Sequence, residues 1–290
     1  MCSIYDGSER ESVGKGEGKG SALMIREPIV ADKFYPADKV LLKDQIESMV
    51  DKKATPRKAL GVVSPHAGYS FSGKVACEVF SNVKLTDTVI ILGPNHTGLG
   101  KAFALYPKGS WNTPFGNAYI DSDFSESLLS RSELIQEDVT AHLAEHSLEV
   151  QVPVLQHFKP DIKIVPITIS ATELAPCLKV AEQIAATITD SGKDTLIVAS
   201  SDMTHYESQL EAKKKDKLAI DVILKLDEGM LFKNVEEYNI TMCGAIPTIV
   251  MLSAIKVLGA NSARLVRYQT SGDVTGDYSE VVGYAGIIIE

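Results

Sequence analysis

Apolar residues along this chain fall into two recurring patterns, and their order predicts the architecture. Short runs rich in β-branched residues, at 59–63, 88–92, 162–169 and 195–199, read as strands apolar on both faces. Helical spacing fills the segments between them. It covers 39–50, through Val40, Leu41, Ile46, Met49 and Val50, and a stretch capped by Ser72 that runs over Val75, Ala76, Val79 and Phe80. Further helices are predicted over 145–158 despite Pro153, from a Thr172 cap past Pro176 to about 188, over 210–226, and over 244–258. Asp123 is expected to cap a short helix through Phe124, Leu128 and Leu129, residues 111–117 read as a turn, and two strands at 264–268 and 281–289 close the chain. Strand, helix, strand repeated at this spacing is the βαβ unit. The expected fold is therefore α/β: a single domain with a mostly parallel central sheet flanked by helices.

Composition adjusts this picture at one end. Residues 1–24 are rich in Gly, Ser, Lys and Glu, and they carry too little apolar surface to offset the entropy of ordering. A disordered tail over 1–24 and a folded domain over 25–290 are expected. The Lys–Gly alternation of 14–20 follows no strand, so it is not a phosphate loop.

Charge and cysteine usage exclude whole classes of function. Net charge is −9, and the one basic cluster, Lys213-Lys214-Lys215, has acids on both sides. That is a solvated helix face, and it argues against a nucleic-acid partner. The longest apolar stretches, 245–258 and 281–289, fall short of the roughly 18–20 residues of a membrane span, so no membrane role is expected. Cys2, Cys77, Cys177 and Cys243 show no paired spacing, and no secretory segment opens the chain. A reducing, cytoplasmic setting is the expectation.

The chemistry gathers where strands stop. His66 follows Ser64-Pro65, and His96 follows Gly93-Pro94-Asn95. Asp202 and His205 follow Ser200-Ser201, and Cys243 precedes the helical stretch at 244. Beyond the carboxyl ends of parallel strands lies the crevice in which α/β proteins bind ligands. A single loop histidine is ordinarily structural, but two delivered by neighbouring βα loops point to a metal, because neutral imidazole suits iron, copper and zinc. Asp202 is expected either to orient His205 and raise its basicity or to serve as a local cap. A helix N-terminus is expected to lower the pKa of the Cys243 thiol. His142-Leu143-Ala144-Glu145-His146 also matches an inverted zinc-peptidase motif, an alternative placed below the multi-loop site. Glu145, His146 and Glu149 are expected to line the same pocket.

Taken together, Pro65-His66-Ala67-Gly68-Tyr69, Leu92-Gly93-Pro94-Asn95-His96, Glu145-His146-Ser147-Leu148-Glu149, Ser200-Ser201-Asp202-Met203-Thr204-His205 and Cys243-Gly244 resemble the Memo family in order and spacing. Microbial members are called AmmeMemoRadiSam system protein B. The resemblance covers about residue 28 to the C-terminus. It implies a fold shared with class III extradiol, LigB-like, dioxygenases. It also implies a metal at His66, His96 and Cys243, with His205 as acid/base, Asp202 beside it, and Tyr69 and Asn95 lining the pocket. A soft, oxidisable thiolate replaces the carboxylate ligand of those dioxygenases, which favours a redox role with iron or copper over zinc and over ring cleavage. The resemblance further suggests a small molecule or peptide in the pocket, and radical-SAM and AMMECR-type proteins as partners. A non-catalytic binding module, a true extradiol dioxygenase and a zinc peptidase on His142 and His146 are the alternatives.

Overall fold

A computed structural model of the chain describes residues 24–290; the expected tail over 1–24 lies outside the described residues except for Met24. The first half contains β1 (Ile25–Arg26), α1 (Lys39–Met49), β2 (Gly61–Ser64), α2 (Tyr69–Ser81), β3 (Thr88–Pro94), β4 (Phe103–Leu105), β5 (Ser110–Thr113), β6 (Gly116–Ile120), α3 (Ser122–Arg131) and β7 (Gln136–Glu137). Then come α4 (Thr140–Leu143), α5 (Gln151–Phe158), β8 (Lys163–Ile169), α6 (Leu174–Ser191), β9 (Thr195–Ser200) and β10 (His205–Glu207). The last part holds α7 (Gln209–Ile223), α8 (Glu228–Glu237), α9 (Ala245–Val257), β11 (Ala263–Thr270), α10 (Gly272–Thr275) and β12 (Val281–Ile289).

The sheet runs β1-β5-β6-β8-β3-β9-β2-β12-β10. Its centre, β6-β8-β3-β9-β2, is parallel, while β12 joins β2 antiparallel and carries β10 and β11. The apolar runs are continuous because both faces are covered. Val63, Ile90, Leu92, Val165, Ile167, Ile197 and Ala199 pack toward α6 and α9. Val62, Val89, Ile91, Ile164, Leu196 and Val198 belong to the opposite cluster, which includes residues of α1, α2 and α5. This is the period-two alternation of a strand buried on two sides.

Five expectations differ from the structure. Helix α2 starts at Tyr69, and Ser72 lies inside it with its hydroxyl donating to Ala67 O. The cap of α3 is Asp121, which accepts from the Phe124 amide, and Glu173 rather than Thr172 precedes α6. Residues 111–117 are mostly strand, the antiparallel pair β5–β6 turning at Pro114-Phe115. Residues 145–150 are not an α-helix; α5 begins at Gln151 with Pro153 in its first turn, where a missing N–H costs nothing. Lys214 pairs with Glu211 on the exposed face of α7, and Lys215 reaches back to Glu207 of β10. No helix among the described residues is long and apolar enough to cross a membrane.

Candidate metal centre

Adjacent strands deliver the key side chains to one rim. His66 stands two residues past β2, His96 two past β3, and Asp202 two past β9, the strand that lies between β2 and β3. Cys243 arrives from the other side, just before α9. Gly244 makes its approach feasible: a Cβ there would lie 2.3 Å from Ser200 O, and the Gly244 amide donates to Ser201 Oγ at 3.0 Å. The Cys243 Sγ consequently sits 3.3 Å from His66 Nε2.

Hydrogen bonds fix the tautomers. The single Ser200 hydroxyl proton goes to Ser147 O at 2.6 Å, and Ser200 Oγ also accepts from Gln151 Nε2 at 2.8 Å. His66 Nδ1, 3.0 Å from the same oxygen, must therefore be the donor, which leaves its Nε2 with a free lone pair. His96 Nδ1 donates to Glu145 Oε1 at 2.9 Å, so its Nε2 is likewise free. His205 Nδ1 donates to Thr241 O at 2.9 Å. Outer acceptors that hold a histidine by Nδ1 and present Nε2 are the usual supports of metal-binding imidazoles.

His146 enters more fully than the sequence indicated. Its ring stacks on His96, with centroids 4.8 Å apart, and meets His66 edge-on. Among the described residues, ligand atoms of His66, His96 and His146 all lie within 4.8 Å of one another. His205 lies outside that group, although its charge acts on His66 and Asp202.

Burial sets the electrostatics. It drives the pKa of His66 well down, reinforced by His146 and His96, and so keeps the ring neutral as ligation requires. Burial would raise the Glu145 carboxyl, but bonding and charge from His96, with the amides of Ser147 and His96, prevail and bring it to about 2. His96 shifts upward: burial opposes protonation, but the Glu145 carboxylate outweighs it. Burial takes Asp202 up to about 6 against the His66 amide.

Several expected roles need correction. Burial, aided by the Asp202 charge, pushes the Cys243 thiol up, because desolvation outweighs the partial charge of the helix terminus. Asp202 does not orient His205: its Oδ1 accepts the His66 amide at 2.8 Å, and Thr241 holds the His205 ring instead. The Tyr69 hydroxyl is buried against Val150 O. Asn95 shapes its own loop, accepting from Thr97 and Gly98 and donating to Leu99 O. Glu149 is taken up by Arg26, the amides of Ile29 and Val30, and Tyr35. His142 is buried with Nε2 on Ala104 O, and α4 ends before Glu145, so His142 and His146 do not form the two-histidine helix of a zinc peptidase.

A family model described as Memo-like protein matches residues 26–288. The chain belongs to the Memo-like family. A MEMO1 family protein of Methanopyrus kandleri is 42% identical over 279 residues, covering 91% of this chain and 99% of its own. One from Aquifex aeolicus is 41% identical over 268 residues, covering 92% and 99%. An uncharacterised Escherichia coli K12 protein, JW3007, matches in fold with a TM-score of 0.57 at 12% identity, over 80% of this chain and all of its own. In this Memo-like chain Glu145 is the side chain that aligns His96, and it provides a direct test. Glu145→Gln should weaken metal binding about 10–100-fold without loss of fold, as read by competitive chelator titration.

The same carboxyl yields a pH prediction for the metal-free protein. Its folded pKa is depressed from 4.5 to about 2, so the stabilisation is complete above 4.5 and is lost as pH falls toward 2. Unfolding midpoints of the metal-free protein should drop through that window, by at most about 1.4 kcal/mol per pH unit. The decline should be flatter in Glu145→Gln.

Proposed function

We propose that this Memo-like protein binds one iron or copper ion through His66, His96 and Cys243, and that the site serves redox chemistry on a small molecule or peptide. The observation that carries this reading is the pair of Nε2 lone pairs, fixed by Ser200 and Glu145, with a sulfur 3.3 Å from one of them. Metal–sulfur and metal–nitrogen bonds of about 2.3 and 2.1 Å at a tetrahedral angle put the two ligand atoms roughly 3.5 Å apart, so the observed spacing fits. Bound ion would supply redox capacity and open coordination positions. Cys243 would lose its proton on ligation, since a cation reverses the effect of burial. His205, whose Nε2 is unengaged by the Thr241 contact, would carry a proton to or from the ligand, and Asp202 would hold His66 in place through its amide. His146 stands as the reserve imidazole of the site.

The thiol at the third position weighs against ring cleavage of the extradiol type. The proposed setting is the reducing cytoplasm, with radical-SAM and AMMECR-type proteins as partners. Metal analysis with electron paramagnetic resonance on anaerobically purified protein tests the reading: near-stoichiometric iron or copper supports it. Protein that remains metal-free after anaerobic incubation with Fe(II) or Cu(I) would refute it. Tight metal with no turnover, and co-purification with those partners, would favour a binding module over an enzyme.

A further inference from the structure

The cluster of His66, His96 and His146 is polar. One side differs. Between α8 and α9 lies a cavity of about 230 Å3 walled by Phe232, Val235, Met242, Ile246 and Ile249, and Cys243 belongs to its lining. Thr172, three residues past the carboxyl end of β8, is also in the lining, so the cavity lies toward the end of the sheet that carries the histidines; no imidazole lines it, and Cys243 is the residue it shares with the site. Met242 and Ile249 are fully packed in the core, whereas Phe232, Val235 and Ile246 are only partly covered. Apolar side chains left open beside a polar, metal-capable site are the arrangement by which ligand pockets combine a few orienting polar groups with an apolar wall.

We infer that this cavity receives the apolar part of the ligand held at the cation. The inference rests on the cation site proposed above and adds the ligand's chemical class. The head is an oxygen chelator that fills the open coordination positions. The tail is a single ring or a branched aliphatic group. Size sets the upper limit: an apolar cavity of about 150 Å3 accepts benzene, so this space admits one ring or a chain of similar bulk. Charge sets another: Glu236, an exposed acidic residue, belongs to the lining, which disfavours a tail that carries its own anion. Cys243 is the hinge of the arrangement, because its residue borders the cavity while its sulfur stands against His66 Nε2.

Two hydroxamates with the same chelating head test this on the full chain loaded with Fe(II) under argon, with affinity read by calorimetry. Benzohydroxamate should bind at least about tenfold tighter than acetohydroxamate, the gain expected for burying a phenyl group. Ile246→Trp and, from the opposite wall, Val235→Trp fill the cavity with partly covered side chains. Each should abolish that preference while metal content and acetohydroxamate affinity stay at wild-type values. Equal affinities in the wild type, or a preference that survives both substitutions, would overturn the inference and leave the cation site standing. Failure of both hydroxamates to bind the Fe(II)-loaded protein would overturn the inference alone, and a chain that takes up no Fe(II) would overturn the cation site and the inference together.

Discussion

Arg26→Ala is expected to destabilise the protein by about 3–5 kcal/mol, the usual cost of stranding one partner of a buried ion pair. Arg26 is 2% exposed and stacks on Trp111 at 4.3 Å. Its guanidinium donates to His142 O, Glu145 O and Glu149 Oε2, each at 2.7 Å. Removing it leaves Glu149 buried without its cation and frees the Glu145 carbonyl of the irregular segment that carries Glu145 and His146. Two consequences follow together: a lower urea midpoint, and weaker metal binding in the fraction that still folds. Arg26→Lys should recover little, because one ammonium cannot span the three acceptors that a planar fork reaches. A variant as stable as wild type would show that this clamp is dispensable.

His66→Ala and Cys243→Ser are expected to abolish tight metal binding while the chain stays folded. The two residues lie 177 positions apart, so loss of the same ion from both variants would show that they share it. His66→Ala also empties a buried position and should cost about 1–3 kcal/mol through the partners it leaves unsatisfied. Cys243→Ser changes one atom and should cost less. Near-native circular dichroism with metal below a tenth of stoichiometry is the expected pair of readings. Full occupancy in both variants would shift the site to His96 and His146.

Much of the fold is legible in the sequence. The runs at 88–92, 162–169 and 195–199 announced central strands because, with both faces covered, no polar alternation breaks them. The approach of His66 to His96 follows from placing histidines just past the ends of neighbouring strands, whereas His146, which completes the cluster, has no such signal. The segment 145–150 has helical spacing but no helix, because its polar groups are committed over long range: Arg26 takes up Glu145 O and the Glu149 side chain from more than a hundred residues away. Periodicity carries no record of such partners. The same limit hid Ser200, whose hydroxyl sets the His66 tautomer, and led Glu149 and Tyr69 to be grouped with the pocket when both are engaged elsewhere in the interior. For the Cys243 thiol, a helix terminus is visible in sequence, whereas the desolvation that outweighs it is a property of the packed fold.

X-ray absorption at the edge of the bound iron or copper tests the central claim most directly. The predicted result is one sulfur scatterer at about 2.3 Å beside imidazole nitrogens at about 2.0–2.1 Å, with the sulfur shell gone in any metal retained by Cys243→Ser. A wild-type spectrum of nitrogen and oxygen scatterers alone would contradict it.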